Sequence, residues 1–145
     1  MTALTIAAIG AGNKGPRGTR TDGRTEVLWD EWGVPHIYSP RADSLMYAFG
    51  WAQMRAHGNR ILRLYGEARG RAAEYWGPEH LPSDRRVRTL ELPERGQQWA
   101  EAQGEPFDMS AEAFVEGMNA YAAAHPNRID EARQRVLPLR PADVS

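Results

Sequence analysis

Bulky apolar residues fall in two short runs, Val27 to Trp29 and Pro35 to Tyr38, separated by the turn-forming Asp30-Glu31-Trp32-Gly33. Gly33 supplies a residue able to take φ > 0, so this pattern predicts a β-hairpin. Pro40 stops the second strand, and Asp43 or Ser44 offers a cap for a following helix. In that helix Leu45, Phe49, Ala52 and Ala56 recur with a 3.6-residue period, which carries it to about Gly66. Gly50, Gly58 and Gly66 lie inside it, each costing about 1 kcal/mol relative to Ala. Close approach of another backbone, or a break, would offset that cost, and Gly58 is the natural place for a kink.

Beyond Gly77-Pro78 a polar connector leads to Val-Arg-Thr-Leu-Glu-Leu at Val87 to Leu92, which reads as a short strand or an extended arm. Helical pattern returns from Glu94 to Gln103, and a clearer helix starts at a Ser110 cap with Glu112 in its first turn. Phe114, Met118 and Tyr121 share one stripe of this helix, and His125-Pro126 ends it. The tail from Val136 is too rich in proline for a regular element until Ala142-Asp143, where a new helix looks to be starting. At the other end, Ala11 to Arg24 is Gly-rich, charged and aperiodic, the pattern of a flexible lead-in. The organisation expected is therefore a leader over residues 1–25 and one folded unit over 26–145.

The 145 residues suffice for one core, yet a polar mean hydropathy of -0.62 coexists with five Trp and five Tyr. Large aromatics in a charged chain point to an extensive packed surface against a second polypeptide. A net charge of -1 gives no field that would attract nucleic acid or an anionic membrane. The apolar run Ala3 to Gly12 is far shorter than the ~20 residues that span a bilayer, and reads as a signal-peptide remnant or a leader. Most arginines are expected in surface ion pairs, with Arg63, Glu67 and Arg71 at successive four-residue steps worth about 0.3–0.5 kcal/mol per pair.

Candidate chemistry is sparse. The absence of cysteine removes disulfides, thiolate catalysis and Cys-based zinc sites. His36, His57, His80 and His125 show no metal-binding spacing, so no metal site is expected from this chain. His36, inside the second strand, is expected to tie down neighbouring backbone by hydrogen bonds, with a place beside an active site as the alternative. Asp30 and Glu31 are adjacent at the hairpin tip, where exposed turn residues are a simpler reading than paired catalytic carboxylates. No serine lies in a G-x-S-x-G turn, and Thr2 would serve as an N-terminal nucleophile only if held in a rigid strand, which its Gly-rich surroundings oppose. Ala-Ile-Gly-Ala-Gly-Asn-Lys-Gly does not fit a phosphate loop. No catalytic residue is assigned to the chain.

Several segments carry a resemblance. Asp30-Glu31-Trp32-Gly33-Val34-Pro35-His36-Ile37-Tyr38 resembles the R-D-x-x-G-V-P-H-I-Y segment near the start of the small (α) subunit of the penicillin acylase family. Tyr47 to Gln53 is similar to the family's Y-A-x-G-Y-A-Q, and Ala68 to Arg71 with Ala73, Glu74 and Gly77 is similar to A-R-G-R-L-A-E-x-x-G. Phe114 to Tyr121 resembles Y-x-x-G-M-N-A-W/Y, and Leu137-Pro138 with Arg140 to Val144 resembles L-P…P-x-D-V. One departure is Ala56-His57, where the family commonly has an Asp-Arg pair.

The resemblance implies an α+β fold, the αββα sandwich of the N-terminal-nucleophile hydrolases, to which this chain would supply mostly helices and a short hairpin. It implies autoproteolysis of a precursor, a larger β subunit whose N-terminal serine is the nucleophile, and hydrolysis of a linear amide by a periplasmic or secreted enzyme. Substrates within the family are N-acyl-homoserine lactones, β-lactam side chains and acylated lipopeptides; the short Pro-Leu-Arg-Pro-Ala-Asp-Val tail favours the acyl-lactone branch. Pocket residues from α would lie on a helix after the P-x-D-V motif. No cofactor is implied beyond calcium, bound mainly outside this chain. The competing expectation is a non-catalytic helical adaptor that binds a partner through its aromatic face.

Overall fold

The computed structural model describes residues 4–8 and 24–144. Three strands are followed by helices. Strand β1 (Leu4–Ala8) pairs in parallel with β2 (Thr25–Trp29), which pairs antiparallel with β3 (Pro35–Tyr38), giving the sheet order β1-β2-β3. The predicted hairpin is β2 and β3, with Gly33 at φ 76° in its turn. β1 has no counterpart in the sequence pattern, which assigned its residues to the leader. Of the Gly-rich lead-in, residues 11–23 lie outside those described.

Helix α1 (Ala42–Ala68) crosses α5 (Phe107–Ala124), and this pair forms the backbone of the molecule. Between them come α2 (Ala72–Trp76), α3 (Leu81–Thr89) and α4 (Leu92–Gln103); short α6 (Glu131–Gln134) follows α5. The main core gathers Trp51, Met54, Leu62, Tyr75, Val115, Met118, Tyr121 and Val136, while Val27, Ala48 and Ala52 join the sheet to α1. The α+β class stands, with helices predominating.

Small residues make the α1–α5 crossing possible. A Cβ on Gly50 would lie 1.9 Å from the Phe114 carbonyl oxygen, and one on Gly117 would lie 1.9 Å from that of Tyr47. Each helix thus lays its backbone on the other at a glycine, the close approach that the helical glycines implied. The α1 stripe differs in part from the expected one: Ala52 faces inward as expected, with Ala48, Gly50, Trp51, Met54, Gly58, Leu62 and Gly66, whereas Leu45, Phe49 and Ala56 are exposed. The kink sits at His57 (φ -136°, ψ 19°), one residue before Gly58, whose missing side chain leaves room for Ile129.

Four further expectations are corrected. Val87 to Leu92 is neither strand nor arm; it is the end of α3, a turn through Leu90 and Glu91, and the start of α4. Helix α5 begins at Phe107, and Ser110 is inside it, its hydroxyl donating back to the Pro106 carbonyl at 3.0 Å rather than capping. Neither Asp43 nor Ser44 is the cap of α1, which starts after an extended Arg41. Where a helix was expected after Pro141, a single 3₁₀ turn forms over Pro141–Asp143.

Candidate functional site

The motif residues turn out to be structural clamps. At the hairpin tip the Asp30 carboxylate turns inward: one oxygen accepts the Trp32 and Val34 backbone N–H groups at 3.0 and 2.8 Å, and the other lies 3.2 Å from the His36 Nε2. The Val34 N–H, with His36 and the Trp32 N–H, holds this carboxyl below the usual range, against an opposing effect of burial. Glu31 remains exposed, so the two acids are not a catalytic pair. His36 is a tether as expected, but its partner is the Asp30 carboxylate rather than neighbouring backbone.

Arg69 is the centre of a second clamp. Its Nε and Nη2 donate to both oxygens of Asp143 at 2.7 and 2.5 Å, and its Nη1 donates to the Val136 carbonyl at 2.7 Å and the Tyr75 hydroxyl at 3.1 Å. The Pro138 carbonyl accepts a further bond from Nη2. Both charged groups are largely buried, with 16% and 8% of their side chains exposed. The Asp143 hydrogen bonds above all push the Arg69 guanidinium further up from its ordinary value. The A-R-G-R segment is thereby fastened to the P-A-D-V segment, far away in sequence.

Two more clamps complete the set. Asp84 on α3 is buried, and its oxygens accept the Ala72 and Ala73 N–H groups at 2.8 Å each, capping α2 from a neighbouring helix. The Asn119 amide both accepts from and donates to the Leu139 backbone at 2.9 Å, imitating a strand partner for the tail. Asn119 and Asp143 were visible as motif positions; nothing in the local pattern singled out Asp84. Of the expected arginine ladder, Arg63 meets Glu67 at 2.9 Å, but Arg71 lies beyond α1 and pairs with Glu74 at 2.7 Å instead.

Among the described residues no serine hydroxyl hydrogen-bonds a histidine ring, and no three His, Asp or Glu side chains gather as metal ligands. His125 packs flat on Tyr121 at 4.4 Å and His80 stands edge-on to Trp76 at 5.5 Å, while His57 is exposed at the kink. What the chain does offer outward is apolar area. Trp32 at the hairpin tip is 80% exposed and Trp99 on α4 is 68% exposed, and Leu64, Leu90, Leu92 and Met109 are also half-exposed or more, save Leu92 at 46%. No helix among the described residues is long and apolar enough to cross a membrane.

The penicillin amidase family model matches residues 24–143, which hold every clamp above. The chain belongs to this family. It is 34% identical over 100 residues to the penicillin acylase 2 proenzyme of Pseudomonas sp. (strain SE83), a match covering 68% of the chain and only 13% of that protein. Its fold is similar to that of a thermostable penicillin G acylase from Alcaligenes faecalis, with TM-score 0.70 and 23% identity over 83% of the chain and 67% of the solved one. As a penicillin amidase family member the chain thus corresponds to a small part of a much longer relative, and its buried polar contacts belong to the scaffold of that part.

Proposed function

We propose that the chain is the small-subunit portion of an amidohydrolase, wrapping a larger companion polypeptide cut from the same precursor. The observation that carries this reading is that the family-matched residues spend their polar groups on clamps, with no nucleophile and base brought together among those described. In the assembled αββα sandwich the chain contributes helices and a short hairpin. The companion begins with a serine whose hydroxyl attacks the substrate amide carbon while its own α-amine takes the proton. That proton passes to the departing amine, and water then releases the carboxylic acid from the acyl-enzyme. Companion N–H groups and an asparagine amide bind the oxyanion.

Substrates of this enzyme are N-acylated amines, with N-acyl-homoserine lactones first and β-lactam side chains second, and its place is the periplasm or the medium. Both oxygens of Asp84 and both of Asp143 are taken by N–H donors, so neither carboxylate is free to hold a calcium ion. A calcium ion in the assembly would be bound mainly outside this chain. The exposed Trp32 and Trp99 side chains are suited to a two-chain interface. The reading is tested by expressing the whole precursor and assaying the purified complex on acyl-lactones of graded chain length and on penicillin G. Release of acid from either class is the expected result; an adaptor would co-purify with a partner and hydrolyse neither.

A further inference from the structure

Several arginines of this chain pair with an acid close by: Arg41 with Asp43, Arg63 with Glu67 and Arg71 with Glu74. Arg69 shows the fullest form, with Nε and Nη2 donating side by side to both oxygens of Asp143. Arg55 of α1 departs from this. It is exposed, and the interactions its guanidinium makes among the described residues are with rings: Cζ lies 4.3 Å from the Trp29 ring centre and 5.9 Å from that of Trp51. A ring holds a guanidinium in place but supplies no oxygen to its N–H groups.

The helix does not make good the lack. No Asp or Glu occurs between Asp43 and Glu67, so α1 offers Arg55 no acid three or four residues away. Beside it the indole N–H of Trp29 is buried and also lacks an acceptor among the described residues. Trp29 packs on Val27, Ala48 and Ala52 where the sheet meets α1, so the platform under Arg55 is fixed by the core. The result is a positively charged fork, already oriented, on a patch whose two polar groups are donors without an acceptor.

We propose that Arg55, held on Trp29, is an anchor for an Asp or Glu side chain of the companion polypeptide, received through two N–H groups as Arg69 receives Asp143. This rests on the proposed function, since it takes the companion as given. The match to only 13% of the relative's length leaves ample chain to provide the acid. An arginine already held by a ring loses less freedom on pairing than one loose in water, so it is suited to a specific contact. An exposed guanidinium retains a lone carboxylate in water weakly; one delivered by a polypeptide arrives with surrounding contacts that exclude water and strengthen the pair. Arg60 is exposed on the same acid-free stretch and adds to the positive field that favours an acidic approach.

The test is made on the complex obtained from the whole precursor. Arg55→Lys puts an amine at this position in a chain whose only lysine is Lys14. Zero-length carbodiimide coupling followed by peptide mass spectrometry should then find an amide bond from position 55 to one companion Asp or Glu, in a yield about fivefold or more above that of Arg60→Lys. Arg55→Met keeps an apolar stem on Trp29 and removes the donors, so the two chains should separate in urea about tenfold faster. Changing the coupled companion acid to its amide should have a similar effect, and the double variant should be no faster than either alone. Coupling to this chain's own acids only, a yield no greater than that of Arg60→Lys, an unchanged separation rate or additive effects in the double variant would each overturn the proposal. If Arg55→Met does not assemble, the charge-conserving Arg55→Lys complex still decides the matter through its coupling partner. Absence of any companion would refute the proposed function and this pairing with it, whereas a companion that couples elsewhere refutes the pairing alone.

Discussion

Gly50 and Gly117 show how much one missing methyl group can decide. A methyl at Gly50 would fall 1.9 Å from a backbone oxygen of α5, which no rotamer change relieves. Gly50→Ala should therefore cost about 3 kcal/mol through forced separation of α1 and α5. Gly104→Ala meets open space and only the strain of φ 61°, so it should cost about 1 kcal/mol; denaturant unfolding of the two variants checks the contrast. Arg69→Met leaves Asp143 buried without its cation and should cost about 3–5 kcal/mol, read the same way. The Asp30 carboxyl is held below its ordinary range, so its contribution to the hairpin is complete above that range and is lost as pH falls through the lowered value. An NMR titration of its carboxyl carbon should give a midpoint below that of an unstructured peptide, and a midpoint at or above it would remove the hydrogen-bonded turn as the cause.

At the scale of elements, α4 is the segment most loosely held. None of its residues is buried, and Leu90, Leu92 and Trp99 are exposed around it. Among the helices of the free chain, limited trypsin digestion should cut first at Arg95 in α4, and an earlier cut within α1, for instance at Arg63, would contradict this placement. The hairpin, the end of α5 and the role of the helical glycines were legible in the sequence, because each depends on neighbours close along the chain. The α1 face was misread in part because contact with α5 demands Gly50 inside and Gly58 lies against Ile129, which turns the large Leu45 and Phe49 outward, while Ala52 faces inward as the pattern had it. α3 was missed because its one buried position is Asp84, so the apolar period disappears where a carboxylate caps α2. The clamps of Arg69 and Asn119 join segments far apart in sequence, and no local pattern reveals which distant backbone a side chain will reach.

For the whole molecule, the polar interior is spent on self-assembly while large aromatic side chains face outward. That combination suits a chain whose surface is completed by another polypeptide, which is the arrangement the proposed function requires. The family match over residues 24–143, against 13% of a relative's length, shows a member of the penicillin amidase family that corresponds to a small part of a much longer relative. The most direct measurement is made on the product of the whole precursor gene, by separating its chains, sequencing their N-termini and assaying each alone and together for amide hydrolysis. A larger chain beginning with serine should accompany this one, and the two together should turn over substrate while this chain alone does not. Hydrolysis by this chain in isolation, or a precursor product in which no second chain accompanies it, would contradict its role as a scaffold.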